Sequence, residues 1–497
     1  MRTVLWSVGI LGLAVHLLGC GGDADTGRDG PDSGPDDGGL RSDRGMPPNT
    51  GLSAQYFHRY GPLHTDIVEP SVAHDWADVE PFAGLGKDFY SVRWSGEIAV
   101  EASGVAEVTV GSDDGVRLWV NNERVIDAWA IRSYEENSAS VELLAGRTPI
   151  RLEYFEAFGG ARVELRWNWS GVDEVIPESV LRPVEPTIVE APLPPYQNPV
   201  IGRDCPDPGV IATEGAYYAV CTGGSFPIRK SYDLVIWEDT GARVLPTGKA
   251  PWSANGARNW APEIHKVGDR YIAYFTAVNG SNVLSIGAAA ADDILGPYVV
   301  SAAPLVEDAQ GVIDASYFRD TDGKHYLHYK IDGNATGKPT PTYIRPLAED
   351  GLSFVEGVWP QEILTNSSST WEGGVAEAAW LVRRGEYYYL FYSGNVYDHR
   401  YRTGVARSKN VLGPYQKKGP PILKNNERWV GPGHGSVLRV RDDWAFVYHA
   451  WPALPNGTHD QSKGRHVLVD RIDWEDDWPV IHDGSPSRTV VPRPGDL

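Results

Sequence analysis

Five times in roughly the last three hundred residues, a polar or charged residue is followed within ten positions by a turn and then an aromatic strand. The turns sit at Glu214-Gly215, Gly268-Asp269, Asp322-Gly323, Gly385-Glu386 and Asp442-Asp443. The strands after them begin Tyr217-Tyr218, Tyr271-Ile272, Tyr326-Leu327, Tyr387-Tyr388 and Trp444-Ala445. Ahead of them stand Asp207, Glu263, Asp314, Glu377 and His434. A repeat of about fifty residues built from short strands is the signature of propeller blades around a channel. The innermost strands of such a ring converge on its axis. Five polar residues far apart in sequence are therefore expected to meet in one carboxylate-rich pocket. Alternating strands before this region complete an all-β reading of the chain.

Composition agrees with that reading. The chain has 497 residues, too many for one ordinary domain, and its 18 Trp, 24 Tyr and 55 Gly favour turn-rich β structure. The net charge of −21 argues against nucleic acid or an anionic membrane surface as partner and is compatible with a neutral polysaccharide or oligosaccharide.

The chain divides into five stretches. Residues 1–20 read as an export signal: Arg2 is followed by the apolar run from Val4 to Leu18, too short to span a membrane. The run ends in Leu17-Leu18-Gly19-Cys20, which resembles a bacterial lipobox. That resemblance implies an exported lipoprotein held to the membrane only through a lipid on Cys20. Gly21 after the cysteine resembles the pattern sent to the outer membrane or cell surface. Residues 21–49 hold eight Gly, four Pro and seven Asp, a composition expected of a flexible tether. Residues 50–186 alternate as strands do, for example Val116-Arg117-Leu118-Trp119-Val120. Residues 187–197 are Pro-rich and read as a short stiff linker, and 198–497 hold the five repeats. Cys205 and Cys221 flank the first hairpin. Export permits a disulfide between them, and two free thiols are the alternative.

Residues 50–186 resemble the PA14 β-sandwich module. The match runs through Gly51-Leu52-Ser53-Ala54-Gln55-Tyr56-Phe57, Trp94-Ser95-Gly96, Ser112-Asp113-Asp114-Gly115 and Ile126-Asp127-Ala128-Trp129. Some sugar-binding relatives hold calcium with an acidic pair such as Asp113-Asp114. Simple turn chemistry is the alternative explanation of that pair.

Three acids of the repeats stand out: Asp207 in Asp204-Cys205-Pro206-Asp207-Pro208-Gly209, Asp314 in Gly311-Val312-Ile313-Asp314-Ala315, and Glu377 in Gly374-Val375-Ala376-Glu377-Ala378. A carboxylate among apolar neighbours is costly without a partner or a function. Glycoside hydrolysis needs one carboxyl group to protonate the leaving oxygen and another to activate water or attack the sugar. A third acid can raise the donor's pKa by like-charge repulsion.

At these residues the chain resembles glycoside hydrolase family 43, a family of inverting five-bladed propellers. The resemblance is carried also by Asn198-Pro199-Val200, Ser231-Tyr232-Asp233, Trp260-Ala261-Pro262-Glu263, Gly431-Pro432-Gly433-His434-Gly435 and Asp470-Arg471-Ile472-Asp473-Trp474. It implies Asp207 as general base, Glu377 as general acid and Asp314 as the residue tuning that acid. Asp204 and Glu372 are competing candidates. The proline that commonly follows the acid is missing after Glu377. The implied substrates are pentose polymers such as arabinan and arabinoxylan, with no cofactor for the chemistry. His434 is expected beside a central calcium, reached through water, or as a plain hydrogen-bonding core histidine. Phe226 and Trp260, with Trp371 behind them, are expected to stack on sugar rings. Glu263 and Arg465 are expected to reach sugar hydroxyls. Two rival readings are a non-catalytic sugar-binding surface lipoprotein and a retaining, fructan-active propeller enzyme.

Overall fold

The computed structural model describes residues 49–254 and 258–496. The signal, the lipidation site Cys20 and all of the tether but Asn49 lie outside the described residues. Among the described residues the architecture is all-β, an N-terminal sandwich followed by a five-bladed ring.

The sandwich pairs two antiparallel sheets. One contains Leu52–His58, Tyr90–Val100 and Gly146–Glu156 side by side, and the other is built on Gly104–Asp113 and Ala161–Trp169. Alternation puts Trp94, Ile98, Val108, Leu118, Leu152 and Leu165 between the sheets, none more than 1% exposed. The Glu69 carboxylate enters this core and is met by Trp94 Nε1 at 2.5 Å, Tyr56 Oη at 2.8 Å and His74 Nε2 at 3.0 Å.

Each blade is an antiparallel meander of four strands in sequence order, the second carrying one extra short strand. The innermost strands are Gly209–Thr213, Trp260–Val267, Val312–Arg319, Ala376–Arg384 and Trp429–Val440. Each touches the next, and the last touches the first, so the ring is closed. A separate apolar cluster fills each seam between blades. Closure is non-covalent. Val200 N donates to Val467 O at 2.9 Å, and Asn198 Nδ2 donates to Val469 O at 2.9 Å and to Ser487 Oγ at 2.8 Å. The Asn198-Pro199 motif is thus a latch between the start of the ring and its last blade.

The Pro-rich segment, read as a short stiff linker, is packed against both domains. Ala191, Leu193 and Tyr196 are buried, at 2%, 4% and 4% exposure. An extended Pro-rich segment cannot satisfy its own carbonyls. Here Arg93 Nη1 donates to Glu190 O at 2.8 Å, Trp129 Nε1 to Leu193 O at 2.9 Å and Arg441 Nη2 to Ala191 O at 2.9 Å. The donors come from both sides, so the segment is sandwiched between the two domains. The C-terminal residues bind the same seam: Arg493 pairs with Asp233 and lies over the Tyr60 ring, and Asp496 meets Arg117 at 3.2 Å. Sandwich and ring form one compact unit from Pro48 onward.

Candidate active site

The fivefold echo has a backbone origin. One non-glycine residue at or near the start of each inner strand is left-handed: Asp207 at φ 54°, Ala261 at 40°, Asp314 at 56°, Ala378 at 56° and His434 at 43°. In the last four blades it falls in a register irregularity of the inner hairpin. Such bulges re-aim side chains at the rim of a closed sheet. The true equivalents are therefore Ala261 and Ala378, not Glu263 and Glu377. Glu377 lies one residue before its bulge position and still enters the pocket. Glu263 lies two residues after and does not.

A pocket of 230 Å3 opens at this end of the channel, and Asp207, Asp314, Glu377 and His434 all line it. Trp260 and Arg465 line it as well. Asp207 is fixed from all sides. Its Oδ1 accepts from Arg465 Nη1 at 2.8 Å and faces His434 Nδ1 at 3.1 Å, and its Oδ2 accepts from Thr222 Oγ1 at 2.7 Å. Ser436 Oγ pins the backbone beside it, accepting from Val210 N at 2.9 Å and donating to Pro208 O at 3.0 Å. Burial alone would raise the Asp207 carboxyl, but the Arg465 and His434 cations outweigh it and hold the group well below the usual carboxylate range. The same attraction works in reverse on His434. Burial would lower the imidazole, but Asp207 and Asp314 raise it to about 9. His449 differs. Its Nδ1 accepts from the Asp207 backbone N–H at 3.1 Å, and burial drives its pKa down to about 4, so the ring is neutral.

Asp314 and Glu377 form a coupled pair. Burial, with Glu377 nearby, pushes Asp314 up to about 7 against the pull of His434. Glu377 is buried too, but Lys330 Nζ at 2.8 Å and Tyr401 Oη at 2.9 Å hold it below its ordinary value. The two groups are thus pushed apart, Asp314 up and Glu377 down, so the proton they hold favours Asp314. Asp314 is also locked in place, its Oδ2 accepting from Ala378 N at 3.0 Å.

Several sequence expectations need correction. Phe226 is fully buried in the seam between blades one and two, against Phe275 at 5.6 Å, and presents no face to a sugar. Glu263 is turned down the channel, where it pairs with His265 at 2.7 Å. Trp371 stacks on Tyr392 at 5.8 Å and donates to Gly419 O, away from the pocket. Glu372 is a structural hub, accepting from Tyr392 Oη and Lys417 Nζ, both at 2.6 Å. Asp204 caps the Arg465 amide at 2.8 Å. Arg465 faces the pocket, but its guanidinium is committed to Asp207. Cys205 and Cys221 form a disulfide that braces the loop carrying Asp207. Sequence reading passed over Lys330, Tyr401, His449, Asp332 and Asn334. Lys330 left a signal: it is a charge in the apolar run Tyr326-Leu327-His328-Tyr329-Lys330-Ile331.

A cation fits one of the two places suggested for calcium. Among the described residues, Asp113, Asp114 and Glu156 bring three ligand oxygens within 4.8 Å of one another. Glu156 Oε1 is buried there without a partner, and burial with Asp114 beside it pushes the Glu156 carboxyl up to about 8. An all-oxygen donor set suits calcium, and Asp114 is oriented in it by Arg132 N at 2.8 Å and Ala157 N at 2.9 Å. His434 belongs to no such cluster among the described residues, and its Nδ1 is engaged by Asp207.

Residues 196–479 match the model of the Glycosyl hydrolases family 43, and residues 48–180 match the PA14 domain. A probable arabinan endo-1,5-alpha-L-arabinosidase C of Aspergillus clavatus is 27% identical over 55% of this chain and 91% of its own length. A beta-xylosidase of Bacillus subtilis is 27% identical over 60% of this chain and 58% of its own. The anti-sigma-I factor RsgI3 of Acetivibrio thermocellus is 34% identical over 138 residues, of which the chain spans only 21% of that relative. Among solved structures, a thermostable family-43 glycoside hydrolase superposes with a TM-score of 0.53 at 28% identity, over 60% of this chain and 99% of the other. With more than half of its length matched by one family model, and three carboxylates from three blades gathered in one pocket, the chain belongs to the glycosyl hydrolases family 43.

Proposed function

We propose that this protein cleaves pentose glycosides of plant-type polysaccharides with inversion of configuration, and that Asp207 is its general base. The observation that carries the proposal is the contrast of partners in one pocket: Asp207 lies between Arg465 at 2.8 Å and His434 at 3.1 Å, while Asp314 and Glu377 are buried beside each other. The two cations favour the ionised form of Asp207, while burial and the neighbouring carboxyl favour a proton on the Asp314–Glu377 pair. Glycoside hydrolysis needs that asymmetry, an ionised group and a protonated one to meet the leaving oxygen; inversion is what the family resemblance implies, with Asp207 activating water rather than attacking the sugar. Glu377 is the donor, and Asp314, once ionised, favours the proton on Glu377 by repulsion. Arg465 and His434 keep Asp207 in place and charged. The 230 Å3 pocket has room for roughly one sugar ring, and Trp260 offers it an aromatic wall. The names of the relatives point to arabinan and xylan chains. The PA14-like sandwich would hold the polymer, with Asp113, Asp114 and Glu156 as its calcium site. The lipobox-like sequence before Cys20 supports attachment to a bacterial outer membrane or cell surface.

The test is hydrolysis of aryl α-L-arabinofuranoside and aryl β-xyloside, with the product anomer followed by NMR. Turnover of either with an inverted product supports the reading. Sugar binding without turnover on these substrates, arabinan and xylan would refute it. The raised Asp314 favours a second reading, in which Asp314 itself is the proton donor. Dinitrophenyl glycosides separate the two, because a leaving group that needs no proton restores only the variant lacking the true donor. Rescue of Glu377→Gln and not Asp314→Asn supports the first reading.

A further inference from the structure

Lys330 lies on the second strand of blade three, His325–Ile331, with its side chain only 1% exposed. Its Nζ donates to Glu377 Oε2 at 2.8 Å, Asn334 Oδ1 at 2.9 Å and Asp332 Oδ1 at 3.0 Å. An ammonium has three N–H donors, and all three are used. Lys330 does not line the pocket, but each of its three acceptor residues does. An ammonium can be met only by oxygen, so it fixes which way the Asn334 amide faces. The amide nitrogen is left as a donor with no partner among the described residues. Asp332 keeps its second oxygen as an acceptor.

We propose that Lys330 is a positioning residue with two effects: it holds the Glu377 carboxyl in one orientation with a cation at its side, and it presents Asp332 and Asn334 as an acceptor–donor pair for the hydroxyls of the bound sugar. The inference rests on the reading of Glu377 as proton donor. It deepens that reading by naming what sets the donor's titration and which groups outside the catalytic acids read the sugar. The charged and titratable groups facing Glu377 are Lys330 and Asp314 from blade three, Tyr401 from blade four, and His434 from blade five. Asp332 faces Lys330 from the other side. Lys330 is the cation in direct contact with Glu377, and burial makes its charge effective because no solvent screens it. Its own pKa would fall on burial, but Glu377 and Asp332 raise it, so it remains charged through neutral pH.

The test compares wild type with Lys330→Met, which removes the charge at similar volume, and Lys330→Gln, which keeps a donor without charge. With aryl α-L-arabinofuranoside, the alkaline limb of the kcat/KM profile should move to higher pH in both variants, by roughly one to three units for a carboxyl losing an adjacent cation. The acidic limb, set by Asp207, should stay. KM should rise in the Met variant, about tenfold for hydrogen bonds no longer held in place. An alkaline limb that does not move in a folded variant overturns the proposal. So does a Lys330→Gln profile identical to wild type, which would reduce the lysine to a packing role. A second measurement does not depend on turnover. Carbon-13 titration of the labelled glutamate carboxyls, with Glu377 assigned through Glu377→Gln, should place wild-type Glu377 below the ordinary glutamate value of 4.5 and move it up when Lys330 is replaced. A wild-type Glu377 titrating at or above that value overturns the proposal even if no variant folds. Absence of pentosidase activity with the titration as expected would sink the substrate reading alone.

Discussion

Arg465→Met tests how the pocket keeps its base ionised. The guanidinium lies 2.8 Å from Asp207 Oδ1, with both side chains largely buried, at 13% and 10% exposure. The loop that carries it is anchored by the backbone contact from Arg465 N to Asp204 Oδ1, which the substitution leaves in place. Methionine fills the volume of the stem and removes the charge. A carboxylate that loses a cation at this distance shifts upward by roughly one to three units, about 1.4 kcal/mol each. His434 at 3.1 Å and Thr222 at 2.7 Å remain, so the lower half of that range is expected. The direction follows from linkage. Asp207 is depressed in the folded state, so its contribution to stability is present above the unfolded carboxyl pKa and is lost as pH falls through the folded one. Weakening the depression therefore reduces stability at neutral pH and raises the acidic limb of kcat/KM. The assay is kcat/KM against pH on an aryl pentoside, beside denaturant unfolding at neutral pH. An acidic limb that stays in place, with a folded variant, would refute the assignment of Asp207 as the group that must be ionised.

Four further outcomes are expected. Asp207→Asn should lower kcat by about 10²–10⁴, the usual contribution of a general base, and should lower the melting temperature as well, because Arg465 and His434 lose their buried counterion. Glu153→Ala should destabilise by roughly 3–5 kcal/mol, because it strands the buried Arg93 and Arg117, each now 2.9 Å from its carboxylate; a loss below about 1 kcal/mol in denaturant unfolding would contradict this. Replacing Cys205 and Cys221 together by serine should cost about 3 kcal/mol for a loop of this length, measured in the same way, and should lower activity through the adjoining Asp207 loop. Calcium should raise the unfolding temperature of the wild type and leave that of Asp114→Asn unchanged, as followed by calorimetry.

The ring and its axial pocket were legible in sequence because each blade repeats one grammar: a polar residue, a turn, an aromatic strand. Asp207, Asp314 and His434 were aligned correctly, since each is the left-handed residue of its blade. Glu263 misled because the same spacing count ignores the bulge. Two residues past it, the side chain belongs to the lower channel and to His265. Phe226 misled for a different reason. An aromatic beside Gly and Pro reads as an exposed loop platform, yet its backbone turns it into the seam beside Phe275. Lys330 and Tyr401 were missed because their importance depends on Glu377, a neighbour from another blade or strand that no local pattern reveals. Composition read the Pro-rich segment as a stiff linker and could not show its burial. What changes its nature is a set of donors, Arg93, Trp129 and Arg441, that lie from about 60 to 250 residues away in sequence.

That buried seam has a practical side. A polymer-gripping module on a loose string samples many orientations and adds affinity by local concentration alone. Here the sandwich shares its arginines with Asp496 and with the Pro-rich segment, Arg117 meeting the one and Arg93 the other, so the two domains are joined by packed and paired groups. Grafting either half onto a foreign partner would leave ionic groups stranded at the cut surface.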